Sequence, residues 1–524
     1  QLLMMVLLIN IFGKNELRVP ATMSGGTDSI QFDISNFTVE DQSLKKKLSE
    51  HHTLFDAKIL AKTISVSLEE INLDKEQQPR RGAQYLVAVI VTVSGFIIGT
   101  TLGWTSPAGP MMKNKQYNFP VTEENISWIA ALMPLGAMIG CPVMAAVVDN
   151  LGRKRTMAFL TIPTIIGWVT IIWASSVTWI YVGRALTGFA SGSYSVIVPL
   201  YTSEIADMEI RGTLGTYFQL QMFLGILYTY VFGSYVNVFS LSTACALVPT
   251  VFACLLVLVP ESPIYYLMRA DVENARSSLR YFRQSLGNVE EELEAMQVSL
   301  VRAERDRLTL TKAFQTAQAK RGLSIGLGLM VFQQFTGCNA VIFYATTIFN
   351  ATGSAIQPNT SSVIVSIIAL MSTYGSTLAV DRLGRKFLLL VSVVVMGIST
   401  LLIGAFFLGK DFNYDVSPVS FIPLVSLCTF IVAFSVGIGP VTWIMMGEIF
   451  PVQIKDATSS IVCMFNWFLA FLVTKYFGVL VSLIYMYNTF FLFTMFSVLG
   501  TLFVWFVVPE TKGKTINEIQ VLLG

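Results

Sequence analysis

Twelve apolar stretches, near 84–104, 127–148, 157–175, 179–203, 213–234, 243–260, 324–349, 362–380, 387–408, 420–446, 458–481 and 485–508, constrain this chain more than any other feature. Each is about the ~20 residues that an α-helix needs to cross a bilayer. Lipid offers no partner to backbone N–H and C=O groups, so only helices and closed barrels span it, and these lengths select helices. Composition agrees. Only 13% of residues are charged, against about a quarter in soluble domains. The net charge of +2 lacks the concentrated basic surface that nucleic acid requires, so no nucleic-acid partner is expected and the lipid bilayer is.

An even number of spans puts both termini on one side. Lysine and arginine mark the cytoplasmic connections of a membrane protein. Arg153, Lys154, Arg155, Arg382, Arg385, Lys386, Lys455, Lys512 and Lys514 all fall in alternate connections. The expected organisation is a cytoplasmic N-terminal tail over 1–83, a six-helix bundle over 84–260, an intracellular helical linker over 261–322, a second six-helix bundle over 323–508 and a cytoplasmic C-terminal tail over 509–524. Residues 1–12 are apolar but too short to span. Asn350-Ala-Thr and Asn359-Thr-Ser are glycosylation triplets on the expected outer side. Asn125-Ile-Ser lies there too but hugs a helix start.

Three motifs recur in order. Asp149-Asn-Leu-Gly-Arg-Lys154 follows the second stretch and Asp381-Arg-Leu-Gly-Arg-Lys386 the eighth. Glu204-Ile and Ile210-Arg211 follow the fourth, Glu448-Ile and Ile454-Lys455 the tenth. Val259-Pro-Glu-Ser262 follows the sixth and Val508-Pro-Glu-Thr511 the twelfth. Ordered recurrence implies an all-α membrane protein of two parallel six-helix repeats. Charged groups at helix ends must pair or be solvated. A cytoplasmic charge network is therefore expected from Asp149, Arg153, Glu204, Arg211 and Glu261 in the first half and Asp381, Arg385, Glu448 and Lys455 in the second.

These residues, together with Pro260-Glu-Ser-Pro263, Gln333-Gln334-x-x-Gly337-x-Asn339, Gly439-Pro440-x-x-Trp443 and Pro509-Glu-Thr-Lys-Gly-Lys514, resemble the sugar-porter branch of the major facilitator superfamily over about residues 84–520. Gly103-Trp-Thr-Ser-Pro107, Asn466-Trp467 and Val473-Thr-Lys475 look most like the insect facilitated trehalose transporters and their relatives among the facilitative glucose transporters. The resemblance implies a central cavity that opens alternately to each side. It implies sugar binding by Gln219, Gln333, Gln334, Asn339, Gly439, Trp443 and Trp467, and gating by Phe343, Tyr344 and Pro440. The chemistry suits the assignment: amides donate and accept without charge, and indole offers a flat apolar face. Gly437, Gly439 and Pro440 are expected to interrupt the tenth helix. Ala369 and Ala470 stand where relatives often carry asparagine, which implies a roomier or less polar cavity.

In proton-coupled sugar porters the first helix usually carries a carboxylate. By motif that position is Thr101, and residues 84–104 hold no Asp, Glu or His. The expectation is passive transport of trehalose or a related sugar such as glucose, by a monomer in the plasma membrane, without cofactor or metal. A proton-coupled symporter and a non-transporting sugar sensor are the alternatives. An enzyme is not expected, because the two histidines, His51 and His52, both lie in the tail. The six cysteines sit in apolar stretches with no C-x-x-C pair, which reads as helix packing.

Overall fold

The computed structural model describes residues 81–523 except 114–116, 118, 208, 284–288, 308–315, 354–355, 451–453 and 515; side chains at 302–307, 377–382, 455–457 and 516–517 are also outside the described residues. The tail assigned to 1–83 therefore lies almost wholly outside them.

The first span is α1 (Gly82–Gly103) and α2 (Thr105–Lys113). They part at Trp104 because Pro107 has no N–H to offer Gly103 O. α3 (Glu123–Leu151), α4 (Arg153–Ile172), α5 (Val177–Ile205), α6 (Arg211–Gly233) and α7 (Val238–Leu255) complete the first half. Three short helices follow: α8 (Pro263–Met268), α9 (Val272–Arg283) and α10 (Val289–Arg307). The seventh span is again broken, into α11 (Ala317–Phe335) and α12 (Cys338–Thr352), around Gly337 with φ 94°. Then come α13 (Pro358–Leu383), α14 (Arg385–Asp411), α15 (Ile422–Val436) and α16 (Ile438–Ile449). α17 (Lys455–Phe506) holds the last two spans, folded back at Tyr485 with φ 66° and ψ 163°. α18 (Ile516–Leu523) ends the chain.

Among the described residues, eight helical segments are long and apolar enough to cross a membrane, and the last of them is the folded-back α17. α5, α6 and α13 bring the spans to twelve. α5 falls short on hydropathy because it turns Arg184, Thr187, Ser191 and Ser193 inward, and α6 carries Gln219 and Gln221. The architecture is a twelve-helix membrane fold of two six-helix repeats.

Close backbone approach holds the helices, as expected where lipid supplies no hydrophobic drive between them. α3 and α5 meet at reciprocal small residues. A Cβ on Gly188 or Gly192 would stand 2.1 Å from Met133 O or Ala137 O. One on Gly136 or Gly140 would stand 2.3 or 2.2 Å from Ala185 O or Phe189 O. The helices between the halves dock by their apolar face: Ala275, Leu279 and Phe282 of α9 are buried. Arg283 ties α9 to Asp207 at 3.0 Å and to Glu292 of α10 at 2.5 Å.

Candidate functional site

The two halves enclose a cavity of about 2230 Å³ that runs from the middle of the bundle to the charged helix ends. Its mouth bears Asp149, Arg153, Glu204, Arg211 and Arg385; its inner wall is neutral.

The inner wall is built on broken helices. α15 ends where Gly437 adopts φ −117° and ψ −99°. A Cβ there would lie 2.2 Å from Ser392 Cβ. The break falls at Gly437 itself, whereas Pro440 sits in the first turn of α16, where a missing N–H costs nothing. Ser392 of α14 bridges the gap: its Oγ donates to Ala433 O at 2.7 Å and accepts from Ile438 N at 3.0 Å. Gln333 of α11 then donates from Nε2 to Ile438 O at 3.0 Å and Gly439 O at 3.2 Å. Its amide nitrogen thus fixes the bend, and its oxygen is left for the cavity.

Beside it runs a chain of amides. Asn339 Nδ2 donates to Gln334 Oε1 at 2.6 Å, and Gln334 Nε2 donates to Asn466 Oδ1 at 2.7 Å. The chain joins α11, α12 and α17. It fixes which way each amide points, leaving Asn339 with an acceptor and Asn466 with donors to offer. Gln219, Trp443 and Trp467 line the same space, with Trp443 42% exposed to it. Gln219, Gln333, Gln334, Asn339, Gly439, Pro440, Trp443 and Trp467 therefore converge on one cavity. Asn466 is a further member; its place beside Trp467 was the available signal. Ala369 and Ala470 are buried and do not line the cavity, so their small size does not enlarge it in this conformation.

Phe343 and Tyr344 lie beyond the cavity on the face opposite the charges, buried among the contacts that close it. Tyr344 breaks helical geometry with φ −122° and ψ 16°. Its Oη donates to Thr474 O at 3.0 Å, and its ring lies 5.0 Å from that of Phe477. Across the halves, Tyr230 Oη donates to Ile342 O at 2.6 Å, and Ser106 Oγ and Thr346 Oγ1 are 3.1 Å apart. The cavity is thus open toward the charged face and sealed on the other. Asn350 is exposed and Asn359 half-buried near the sealed face. Asn125 instead caps α3 with Thr122 and donates to Tyr181 Oη at 2.9 Å.

At the charged face the repeat is visible atom by atom. Arg153 pairs with Glu204 at 2.8 Å and with Asp149 at 3.2 Å. Arg385 pairs with Glu448 at 3.2 Å. Ser262 Oγ donates to Glu204 at 2.5 Å, and Thr511 Oγ1 to Glu448 at 2.6 Å. Glu261 accepts the backbone N–H of Arg153 and Lys154, both at 2.9 Å; Glu510 accepts those of Arg385 and Lys386 at 3.0 and 3.1 Å. Burial alone raises the Glu510 carboxyl, but the N–H groups of Lys512, Arg385, Lys386 and Thr511 outweigh it and hold the carboxyl below its usual range. Ser262, Glu510 and Thr511 were missed as network members; the Pro-Glu-Ser and Pro-Glu-Thr repeat carried their signal. Arg211 departs from expectation. It is exposed at the cavity mouth and makes no ion pair among the described residues, because α6 begins there and solvent reaches it. The side chains of Asp381 and Lys455 lie outside the described residues.

Thr101 of α1 is buried, and its Oγ1 donates to Ile97 O at 2.9 Å. Its carbonyl accepts from Arg184 Nη1 at 2.8 Å, and Arg184 Nε donates to Ile129 O at 3.0 Å. The guanidinium lies 5.4 Å from the Trp104 ring. This buried cation is held by carbonyls and a ring, with no carboxylate paired to it among the described residues.

A fold of this kind, around a neutral amide-lined cavity with one face sealed, defines a membrane solute carrier. The sugar (and other) transporter family matches residues 87–523, and the chain belongs to that family. Among its relatives, the facilitated trehalose transporter of Bombyx mori is 39% identical over 84% of this chain and 86% of its own length. That of Polypedilum vanderplanki is 38% identical over 83% and 87%. Among solved structures, the proton:xylose symporter XylE bound to 6-bromo-6-deoxy-D-glucose shares the fold at a TM-score of 0.69, with 23% identity, over 84% of this chain and 99% of that one. The inward open xylose transporter XylE from E. coli does so at 0.70, with 22% identity, over 84% and 99%. The protein is a multi-pass membrane protein of a sugar transporter family and not an enzyme.

Proposed function

We propose that this protein is a facilitative carrier that moves trehalose, or a closely related sugar such as glucose, down its gradient by alternating access. The observation that carries the reading is the amide chain Asn339–Gln334–Asn466 beside Trp443 and Trp467 in a cavity sealed on one face. A sugar is neutral and dense in hydroxyls, so oriented amides match it and charges would not. The names of the relatives favour trehalose. The absence of any acid or histidine over 84–104 favours passive transport. Coupling to protons needs a buried group that titrates.

In this reading the binding residues are Gln219, Gln333, Gln334, Asn339, Gly439, Trp443 and Trp467, and Phe343, Tyr344 and Pro440 belong to the gate. The charge network of Asp149, Arg153, Glu204, Glu261, Asp381, Arg385, Glu448 and Lys455 locks or frees the helix ends, with Arg211 beside it at the cavity mouth. The basic connections support a cytoplasmic charged face, with both termini and the linker over 261–322 on that side. The carrier works as a monomer in the plasma membrane, with Asn350 and Asn359 available for glycosylation outside. A panel of labelled trehalose, glucose and fructose offered to cells expressing the protein tests the substrate. Saturable uptake led by trehalose is expected. Absence of saturable uptake of every sugar overturns the reading.

A further inference from the structure

The Val473-Thr-Lys475 motif has no part in the cavity, yet it places a cation inside the sealed face. Lys475 is only 8% exposed. A lysine near the end of a spanning helix ordinarily extends its ammonium to the water interface. Here Nζ lies instead 4.1 Å from the centroid of the Trp128 ring. Lys475 belongs to α17 in the second half and Trp128 to α3 in the first, so the contact crosses between them. The same ring lies 6.5 Å from Phe471, one turn earlier on α17. The neighbouring backbone is engaged from both sides as well: Ser127 Oγ donates to Lys475 O at 2.5 Å and Tyr344 Oη to Thr474 O at 3.0 Å.

We propose that Lys475 is a positioning residue of the outer gate, whose ammonium on the Trp128 ring holds the two halves together on the sealed face and must leave it each time the carrier turns outward. The proposal rests on the alternating-access reading above. An ammonium drawn from water is stabilised on an indole face by an amount equivalent to about a 2- to 30-fold bias, enough to set the ratio of inward to outward states without freezing the cycle. Separation of the pair also returns the ammonium to water, which keeps the cost of opening small.

The test uses the full chain in sealed vesicles. Ala470, buried behind the gate, is changed to cysteine, and a membrane-impermeant thiol reagent is added outside. Its rate of modification, read on that peptide by mass spectrometry, reports outward opening. Lys475→Met and Trp128→Leu are each expected to raise the rate about tenfold. The double variant should rise no further than either single one, and Lys475→Arg, which keeps a cation on the ring, should stay near the unaltered rate. Unchanged rates, or additive ones in the double variant, overturn the proposal. Trp128→Phe, which keeps a weaker ring, serves if Trp128→Leu does not reach the membrane; a rate no different from the parent would then count against the proposal. Sugar flux in the same vesicles separates the two claims. A faster labelling rate with no flux of any sugar leaves the gate standing and removes the sugar assignment.

Discussion

Gln334 donates its side-chain amide to Asn466 Oδ1 at 2.7 Å, and this one bond joins the seventh span to the eleventh across the cavity wall. Because Gln334 also accepts from Asn339 at 2.6 Å, it is the middle member on which both neighbours depend for orientation. Gln334→Ala unpairs two amides at once and, on the proposed function, also removes a sugar contact. With each hydrogen bond worth about 1 kcal/mol, we expect KM for trehalose to rise on the order of 30-fold or more at unchanged surface expression. Asn466→Ala, at the end of the chain, should cost less, roughly tenfold. Uptake kinetics normalised to surface protein check both.

The two charge clusters match in chemistry but not in burial. The Arg153 and Glu204 side chains are 3% and 6% exposed, those of Arg385 and Glu448 14% and 26%. Removing one partner of a buried pair strands a charge and costs about 3–5 kcal/mol, far more than at a solvated pair. Glu204→Gln should therefore lower the melting temperature of the purified protein clearly more than Glu448→Gln.

Gly152 holds φ 91° and ψ 160°, and Gly384 φ 92° and ψ 151°, a region open almost only to glycine. A Cβ would also meet the carboxylate beneath, at 2.6 Å from Glu261 Oε2 and 2.9 Å from Glu510 Oε2. Gly152→Ala and Gly384→Ala should each destabilise by about 1–3 kcal/mol, measured as loss of folded protein in detergent.

Most of the architecture was legible because lipid leaves a chain few choices. The span lengths, the inside-positive loops and the triple repeat each follow from local residue chemistry. The positions along the helices that meet in space were less so. Gln333 read as a sugar ligand; that its nitrogen also spans the break at Gly437 was not legible, because the bonds join residues 105 and 106 apart in sequence. Arg211 read as a network member because its charge matched, and the geometry of the α6 start carries it to solvent. Tyr485 gave no turn signal, since a tyrosine at positive φ is imposed by packing and not by its own preference.

The Glu510 carboxyl is held below its usual range, so its stabilisation is present above the unfolded value, about pH 4.3, and is lost as pH falls through the lower folded value. Stability should be flat in this respect from pH 5.5 to about 8. Below about pH 4 it should fall more steeply for the native protein than for Glu510→Gln. Thermal melts across pH check the difference.

Cys141 and Cys463 face each other across the halves with sulfurs 3.5 Å apart, and Cys463 lines the cavity. A two-electron oxidant such as hydrogen peroxide, reduced to water as both thiols lose their protons, should link them and hold the helices in this arrangement. Uptake should fall on oxidation and recover with a reducing agent, and Cys141→Ser should be insensitive.

The central claim is passive carriage of a sugar. Purified protein in sealed proteoliposomes, given labelled trehalose with and without an imposed proton gradient and protonophore, tests it most directly. The account predicts saturable uptake that stops at equal concentrations and is unchanged by the gradient or its collapse. Accumulation above the external concentration driven by protons, or no flux at all, would contradict it.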